Sequence, residues 1–403
     1  MSTEAKRGSG GGEARRAVPV EGDLERSPLM EWSFPTRILF GEGALKELPD
    51  RVRGLGGSRV LLVVDPGVVA AGLAARVESV LGAGGLTFVT FDRVAPNPVE
   101  DSVHEGVERY REKRCDLVIG LGGGAPLDVA KAIRLKITHA LPLEEYDDAR
   151  DGGRHITADL VPFIAIPTTA GTGAEVSRST VISLSATGRK TVIFGPPLIP
   201  NLALCDPTLT VGLPARTTAT TGMDALTHCV EAYICTGDHP LCDALAIHGA
   251  KLVGQHLARA VEHGDDLEAR GGMMKAAMLG AISFQKGLGA CHALAHPLSN
   301  VAGLHHGLAN ALMLPHVLEF NAEAARERLA EIAAALGQPG LRAADAVRLL
   351  SRRIGLPARL SEAGVTAEQI PQMVPQAVED ASHRTNPRPC TAADFEALYR
   401  AAL

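Results

Sequence analysis

Five side chains in the second half of the chain have the types and spacing of a metal site. Asp224 and His228 lie four residues apart, His292 and His296 share that spacing, and His306 follows fourteen residues after His292. On a helix, a spacing of four places both side chains on one face. One carboxylate and three of these four imidazoles suit a divalent first-row metal and leave room for a substrate oxygen. A lone histidine is more often structural, but this clustering favours metal binding.

A glycine run in the first half has the composition of a phosphate-binding loop. An apolar strand from Leu117 leads into Gly122, Gly123 and Gly124, and Pro126 suits the first turn of a following helix. Glycines let the backbone approach a phosphate, and the free N–H groups at the helix start can bind the anion. The run is not a strict GxGxxG, so glycines alone are equally consistent with a tight turn.

Two more loops follow apolar runs in the same half. Asp65 ends the run 60–65, where an acid can bind ribose hydroxyls and repel the extra phosphate of NADP, or can cap the next helix. The third loop, 167–175, combines hydroxyl side chains with glycines after an apolar run. Three such loops together favour a dinucleotide, with NAD preferred over NADP.

The elements that must position these residues change in character near Asp206. Before it, the apolar runs 60–64, 86–91, 117–121 and 161–166 alternate with helical patterns such as 68–81 and 103–113, which predicts a doubly wound parallel sheet. After it, segments rich in Ala, Leu and Glu predict helices. We therefore predict a disordered tail over 1–29, an α/β dinucleotide-binding domain over 30–206 and a helical metal-binding domain over 207–403, with the site in the cleft between them.

Composition excludes several classes of partner. Hydrophobic residues make up 46% of the 403 residues, the net charge is −6, and no long basic run or bilayer-length apolar run occurs, so neither nucleic acid nor a membrane is expected. The seven cysteines are odd in number and have no CxxC spacing, which predicts free thiols in a cytoplasmic protein. Met30 is an alternative start.

Together these residues resemble the iron-containing (group III) alcohol dehydrogenases. The resemblance extends from Glu31 to the end of the chain. It rests on FPTRILFGEG at 34–43, PNP at 96–98, GGG at 122–124, PTTAGT at 167–172, LCDP at 204–207, LP at 213–214, TGMDALTH at 221–228 with Glu231, GLGACHALAHP at 287–297 and HGLANA at 306–311.

The resemblance implies a dehydroquinate synthase-like fold, with an α/β N-terminal Rossmann-like domain and an all-α C-terminal domain, and a homodimer or larger homo-oligomer. It implies hydride transfer between an alcohol and C4 of NAD, with Fe(II) or Zn(II) held by Asp224, His228, His292 and His306. His296 then lies near the nicotinamide, as a proton relay or an orienting group. The matching cofactor contacts are Asp65, Asn97, Gly123, Gly124, Thr168, Thr169 and Lys190.

Two departures leave the substrate open. Ala125 stands where the family commonly has serine after the glycines, and 284–287 departs from the pattern of small-diol enzymes. One alternative is a reductase of an acidic carbonyl, such as a semialdehyde or maleylacetate, in which Lys286 pairs with the substrate carboxylate or is simply solvated. Others are a lyase that recycles its NAD, and a catalytically inactive metal-binding protein.

Overall fold

The computed structural model describes residues 36–186 and 188–403. The tail over 1–29, the alternative start at Met30 and the first five residues of the segment 31–40, whose sequence predicts an edge strand, lie outside these ranges. The described part of that strand forms Ile38–Phe40.

The described residues before Asp206 contain eight strands. Six form a parallel sheet in the order β1-β8-β5-β4-β2-β3, and β6 and β7 form a separate antiparallel hairpin. The strands are β1 (Ile38–Phe40), β2 (Arg59–Val63), β3 (Thr87–Phe91), β4 (Leu117–Gly122), β5 (Phe163–Pro167), β6 (Ser179–Ser183), β7 (Lys190–Phe194) and β8 (Leu202–Cys205).

Burial on both faces explains why the central strands are almost wholly apolar. Along β2, Leu61 and Val63 belong to the core on one side of the sheet, while Val60 and Leu62 belong to the core on the other. This alternation follows from the period of two in a strand. Helices cover both faces, as parallel sheets require, and the predicted doubly wound architecture is confirmed.

Five helices connect these strands: α1 (Leu48–Gly54), α2 (Pro66–Ala70), α3 (Leu73–Ala83), α4 (Glu100–Glu112) and α5 (Gly124–Thr138). The prediction of a single helix over 68–81 is wrong, because the helix is interrupted at Gly72. That residue has φ +72°, a left-handed conformation that glycine adopts without strain. The apolar period continues across the break, so periodicity alone did not reveal it.

Nine helices follow in the second half of the described chain. They are α6 (Ala215–Ile234), α7 (Pro240–Glu262), α8 (Leu267–Ser283), α9 (Ala290–Val301), α10 (His306–Phe320), α11 (Arg326–Ala335), α12 (Ala343–Arg353), α13 (Ile370–Glu379) and α14 (Ala392–Ala402). They share one large apolar core, which confirms the predicted helical region. The exact boundary at 206/207 stays a prediction.

None of the described helices is long and apolar enough to cross a membrane. All seven cysteines are free thiols, and six are buried.

Candidate functional site

The glycine loop exposes bare backbone at the carboxyl end of the sheet. β4 ends at Gly122 and α5 begins at Gly124. Gly122 has φ +147°, and a Cβ there would lie 2.6 Å from Cγ of Pro126. Only glycine is therefore accommodated, and the first N–H groups of α5 stay accessible to an anion.

The threonine loop after β5 packs directly against these glycines. A Cβ on Gly123 would lie 3.2 Å from Oγ1 of Thr169, and one on Gly124 would lie 3.3 Å from Oγ1 of Thr172. The Thr168 N–H donates to the Gly122 carbonyl at 2.9 Å. The two loops form one cradle that larger side chains would fill, which suits the pyrophosphate of a dinucleotide.

Of the remaining predicted cofactor residues, Asp65 and Asn97 follow β2 and β3 of the same sheet, whereas Lys190 lies on the separate hairpin. Asp65, just beyond β2, accepts the Val68 N–H at 2.8 Å and caps α2, so its capping role is observed. Asn97 lies between β3 and α4 in the adjoining loop, which touches the hairpin where the Ser183 N–H donates to Pro98. Lys190 begins β7, and burial lowers the pKa of its ammonium.

Three helices bring the predicted metal ligands together. α6 carries Asp224 and His228, α9 carries His292, and α10 begins with His306. One ligand atom from each of Asp224, His292 and His306 lies within 4.8 Å of the others. Nε2 of His306 is 3.4 Å from Oδ1 of Asp224, and Nε2 of His292 is 3.9 Å from it.

His228 completes the cluster from the side. Its ring stacks on that of His292 with centroids 4.5 Å apart. Its Nδ1 is buried and has no hydrogen-bond partner among the described residues. A buried imidazole nitrogen without a partner is costly unless something else occupies it. The close approach of Asp224, His292 and His306 fits a cation, and the His228 ring stacks beside these three residues.

Protonation states in the cluster also favour a cation. Burial alone would raise the pKa of Asp224, but the imidazoles of His228, His306 and His292 and the Asn310 amide lower it to about 2. Burial lowers the pKa of His228 to about 4. At neutral pH Asp224 is thus an ionised carboxylate and His228 a neutral imidazole, which are the forms that bind metals. The pKa of His292, which burial would lower, is instead raised by the Glu231 carboxylate.

Asn310 lies at the centre of the cluster, although the sequence patterns did not single it out. Its amide nitrogen donates to Oδ1 of Asp224 at 2.8 Å and lies 3.2 Å from Nε2 of His306 and 3.4 Å from Nε2 of His292. The amide thus contacts three ligand atoms at once. It lies four residues after His306 on α10, a spacing that could have identified it.

His296 is paired with an acid that sequence reasoning missed. Its Nδ1 is 2.6 Å from Oδ2 of Asp380, and its ring stacks on His306 at 5.2 Å. Burial would raise the pKa of Asp380, but the bonds from His296 and the Ser382 N–H hold it well below its usual range. Asp380 lies 84 residues further along the chain, so no local pattern links the pair.

The cofactor cradle and the metal cluster meet at Thr172. Its hydroxyl donates to Oδ2 of Asp224 at 3.4 Å. Nearby, a Cβ on Gly171 would lie 2.9 Å from Cβ of Thr221 on α6. A dinucleotide on the cradle would therefore extend toward the cation cluster, as hydride transfer requires.

Lys286 lies in a different environment from the one an acid-binding residue needs. Its side chain is 1% exposed, and its ammonium is paired with Asp243 and donates to the Tyr233 carbonyl at 3.2 Å. These partners already satisfy its charge. The hypothesis that Lys286 binds a substrate carboxylate therefore loses its basis.

Comparison with known proteins gives a consistent result. The profile of iron-containing alcohol dehydrogenases matches residues 35–207, and the C-terminal profile of the same family matches 218–403. A 4-hydroxybutyrate dehydrogenase of Cupriavidus necator is 40% identical over 380 residues, covering 92% of this chain and 99% of that protein.

Two solved structures share the whole fold. A 1,3-propanediol oxidoreductase superposes with a TM-score of 0.89 at 36% identity, over 93% of this chain and 100% of the other. A sulfoacetaldehyde reductase from Bifidobacterium kashiwanohense, in complex with NAD+, gives 0.85 at 31% identity, over 93% and 99%.

Proposed function

Since the chain belongs to the iron-containing alcohol dehydrogenase family and is an NAD-linked oxidoreductase of alcohols and aldehydes, we propose that four of its side chains hold the iron: Asp224, His228, His292 and His306. The observation that carries this assignment is the convergence of three of them within 4.8 Å. The contact from Thr172 brings the cofactor cradle to the same point.

The chemistry divides between the bound groups and the chain. When bound, Fe(II) or Zn(II) supplies a Lewis acid for the substrate oxygen, and NAD accepts or donates the hydride at C4. The helices keep Asp224 and His292 almost fully buried, which excludes water and strengthens their electrostatic effect. His306 stays 32% exposed at the side chain, so the cluster is open on one side to a small substrate.

The cradle holds the cofactor in this proposal. Backbone N–H groups at Gly123 and Gly124 bind the pyrophosphate, with Thr168 and Thr169 beside them. Asp65 and Asn97, which follow β2 and β3, and Lys190, on the hairpin, contact the rest of the dinucleotide. Because Asp65 already caps α2, its ribose contact uses the oxygen not engaged by Val68, and NAD remains preferred over NADP.

His296 moves a proton between the substrate and solvent. Asp380 accepts from Nδ1 of His296, so Nε2 is left able to take up a proton. The His296 side chain is 38% exposed and borders His306, which connects the cluster to water. Replacing His296 with Ala should change the pH–rate profile, and an unchanged profile would leave it only an orienting role.

The test of the main proposal is metal-dependent net redox chemistry. Metal-free protein should be inactive, and reconstitution with Fe(II) or Zn(II) should restore NADH formation from a panel of alcohols. Metal content near one ion per chain would agree with a single site. Activity that survives exhaustive chelation contradicts the proposal, and substrate turnover without accumulating NADH points instead to a lyase.

A second candidate is an acidic substrate, an ω-hydroxy acid or its semialdehyde. One relative is named for 4-hydroxybutyrate and another for sulfoacetaldehyde, both anionic. Arg178 donates to Gln285 at 3.3 Å, and Phe284, next in sequence to Gln285, lies 5.2 Å from the His228 ring. A guanidinium can also give one charge-assisted hydrogen bond to a carboxylate.

The acid hypothesis is tested with a matched pair of substrates, 4-hydroxybutyrate and 1,4-butanediol. Arg178→Met should lower kcat/KM selectively for the acid, by about 10-fold or more, because a charge-assisted hydrogen bond is lost. An equal loss for both substrates would indicate a structural role for Arg178 and remove the candidate.

We also propose a cytoplasmic homodimer or larger homo-oligomer. Seven free thiols suit a reducing compartment. Within the described residues β1 pairs only with β8, and Ile38 on it is 41% exposed, so this edge offers an association surface. Light scattering on the purified full chain gives the oligomeric state, and a monomer would contradict the proposal.

A further inference from the structure

A buried carboxylate, Glu231, contacts the start of α9, the helix that carries His292. Glu231 lies on α6 and is 1% exposed. Its Oε2 is 2.5 Å from Nδ1 of His292, and its Oε1 accepts the Cys291 N–H at 2.6 Å. The His292 N–H also points to Oε2, at 3.4 Å. Both oxygens are therefore engaged by one turn of α9.

This arrangement determines the tautomer of His292. An ionised carboxylate only accepts hydrogen bonds, so Nδ1 of a neutral His292 must carry the hydrogen. The lone pair is then on Nε2, the nitrogen that faces Asp224. A ligating imidazole needs its lone pair on the side of the metal, and a carboxylate on the other nitrogen secures both tautomer and ring angle.

We propose that Glu231 is a positioning residue for the metal, acting through His292. The proposal rests on the ligand set given under the proposed function. Glu231 does not touch the cation. It holds the imidazole of His292 in the one tautomer and orientation that can bind it.

The chain also keeps the space that this contact needs. A Cβ on Gly289 would lie 2.6 Å from Oε1 of Glu231, so glycine here lets the carboxylate reach the start of α9. An acid on an exposed helix surface would not require a glycine opposite it.

Helix capping is a competing explanation, and the structure separates it from metal positioning. Asn386 also caps α9, because its Oδ1 accepts the Ala290 N–H at 3.2 Å. Asn386 also forms two hydrogen bonds with Asn321, donating to its Oδ1 and accepting from its Nδ2. Asn386 has no bond to His292. It is thus a matched control that removes a cap without changing the imidazole.

The decisive variant is Glu231→Gln, which preserves shape but cannot satisfy both partners. If the amide oxygen accepts from Cys291, the NH2 group faces Nδ1 of His292 and moves the hydrogen to Nε2, where it blocks the metal. If the amide is turned around, the NH2 group opposes the Cys291 N–H and the cap is lost. Either orientation removes one of the two functions.

The experiment measures metal binding by the full-length metal-free protein. Zn(II) affinity is obtained by competition with a chromophoric chelator, and Co(II) is titrated to record its visible absorption. We expect Glu231→Gln to weaken Zn(II) binding about 10- to 100-fold and to alter the Co(II) spectrum. Asn386→Ala should lower the unfolding temperature and leave both metal readouts at the wild-type level.

Three outcomes overturn the inference in distinguishable ways. Wild-type affinity and spectrum in both Glu231→Gln and Glu231→Ala, the second of which leaves no acceptor for Nδ1 of His292, remove the role of Glu231 while leaving the metal site intact. Equal metal losses in Glu231→Gln and Asn386→Ala reduce Glu231 to a helix cap. If wild-type protein binds neither metal, or His292→Ala binds as wild type, the proposed ligand set itself fails. Should Glu231→Gln not fold, Gly289→Ala, which crowds the same oxygen, is titrated in its place with the same expected loss.

Discussion

The proposed cofactor cradle and the proposed metal cluster are built in opposite ways. The cradle uses backbone at the ends of β4 and β5, where Gly122 lacks a side chain because Pro126 leaves no room for one. The cluster uses charged and polar side chains buried among helices, with Asp224 only 3% exposed. Adding an atom is therefore the damaging change in the cradle, and removing one is the damaging change in the cluster.

Buried acids in the two regions show the same contrast. Asp224 has neighbouring imidazoles, and its pKa falls to about 2 despite burial. Glu175, which follows the threonine loop of the cradle, is equally buried, but burial raises its pKa to about 7 because the nearby Lys131 offsets only part of that effect. An acid is ionised in a helical interior when its partners are built around it, and it resists ionisation when they are not.

The largest effect is expected from removing a side chain in the cluster. His292→Ala should lower kcat/KM by about 10³-fold or more, because the Lewis acid contributes several kcal/mol. The variant should lose bound metal but keep its affinity for NADH, measured by fluorescence. A variant that loses both would show that the two regions are not separable.

The reciprocal change adds one methyl group to the cradle. Gly122→Ala should cost about 2–5 kcal/mol, since it combines strain at φ +147° with a contact of 2.6 Å. NADH binding should weaken while metal content stays at the wild-type level. Denaturant unfolding measures the loss of stability, fluorescence measures NADH affinity, and elemental analysis measures metal content. Unchanged NADH affinity would contradict the proposed cradle.

The raised pKa of Glu175 predicts that neutralising this side chain stabilises the protein. A folded pKa near 7 exceeds the ordinary value for Glu, so the folded state of Glu175 binds the extra proton and its contribution to stability falls as pH rises from about 4.5 to 7. Glu175→Gln should therefore stabilise the metal-free protein at pH 8 by about 1–3 kcal/mol and have little effect at pH 5. Urea unfolding at both pH values tests this, and a difference that does not vary with pH would refute it.

The smallest effect is expected where the two regions meet. Thr172→Val removes the hydroxyl that donates to Asp224 at 3.4 Å, a long bond worth about 0.5–1.5 kcal/mol. KM for the alcohol should rise by a few-fold with metal content nearly unchanged, and NADH affinity, because Thr172 also borders Gly124, should fall no more than in Thr169→Val. Thr169→Val, which lies beside Gly123 rather than Asp224, is the control and should affect only NADH.

The sequence by itself determined the architecture and the local geometry of each motif. Apolar runs that alternate with helical patterns predicted a parallel sheet, because a strand buried on both faces is apolar at nearly every position. The spacing of Asp224 and His228 put both on one face of α6, since the helical period is the same wherever the helix lies. Even so, the apolar periodicity did not reveal the helix break at Gly72, because one left-handed residue interrupts a helix without interrupting its apolar pattern.

Only the tertiary structure decided which side chains meet across helices. Glu231 reaches His292 over 61 residues of chain, and Asp380 reaches His296 over 84. Lys286, which the sequence leaves as a candidate for substrate binding, pairs with Asp243 instead. These pairings depend on the angles and offsets at which α6, α7, α9 and the segment after α13 pack, and those are properties of the whole core rather than of any one helix.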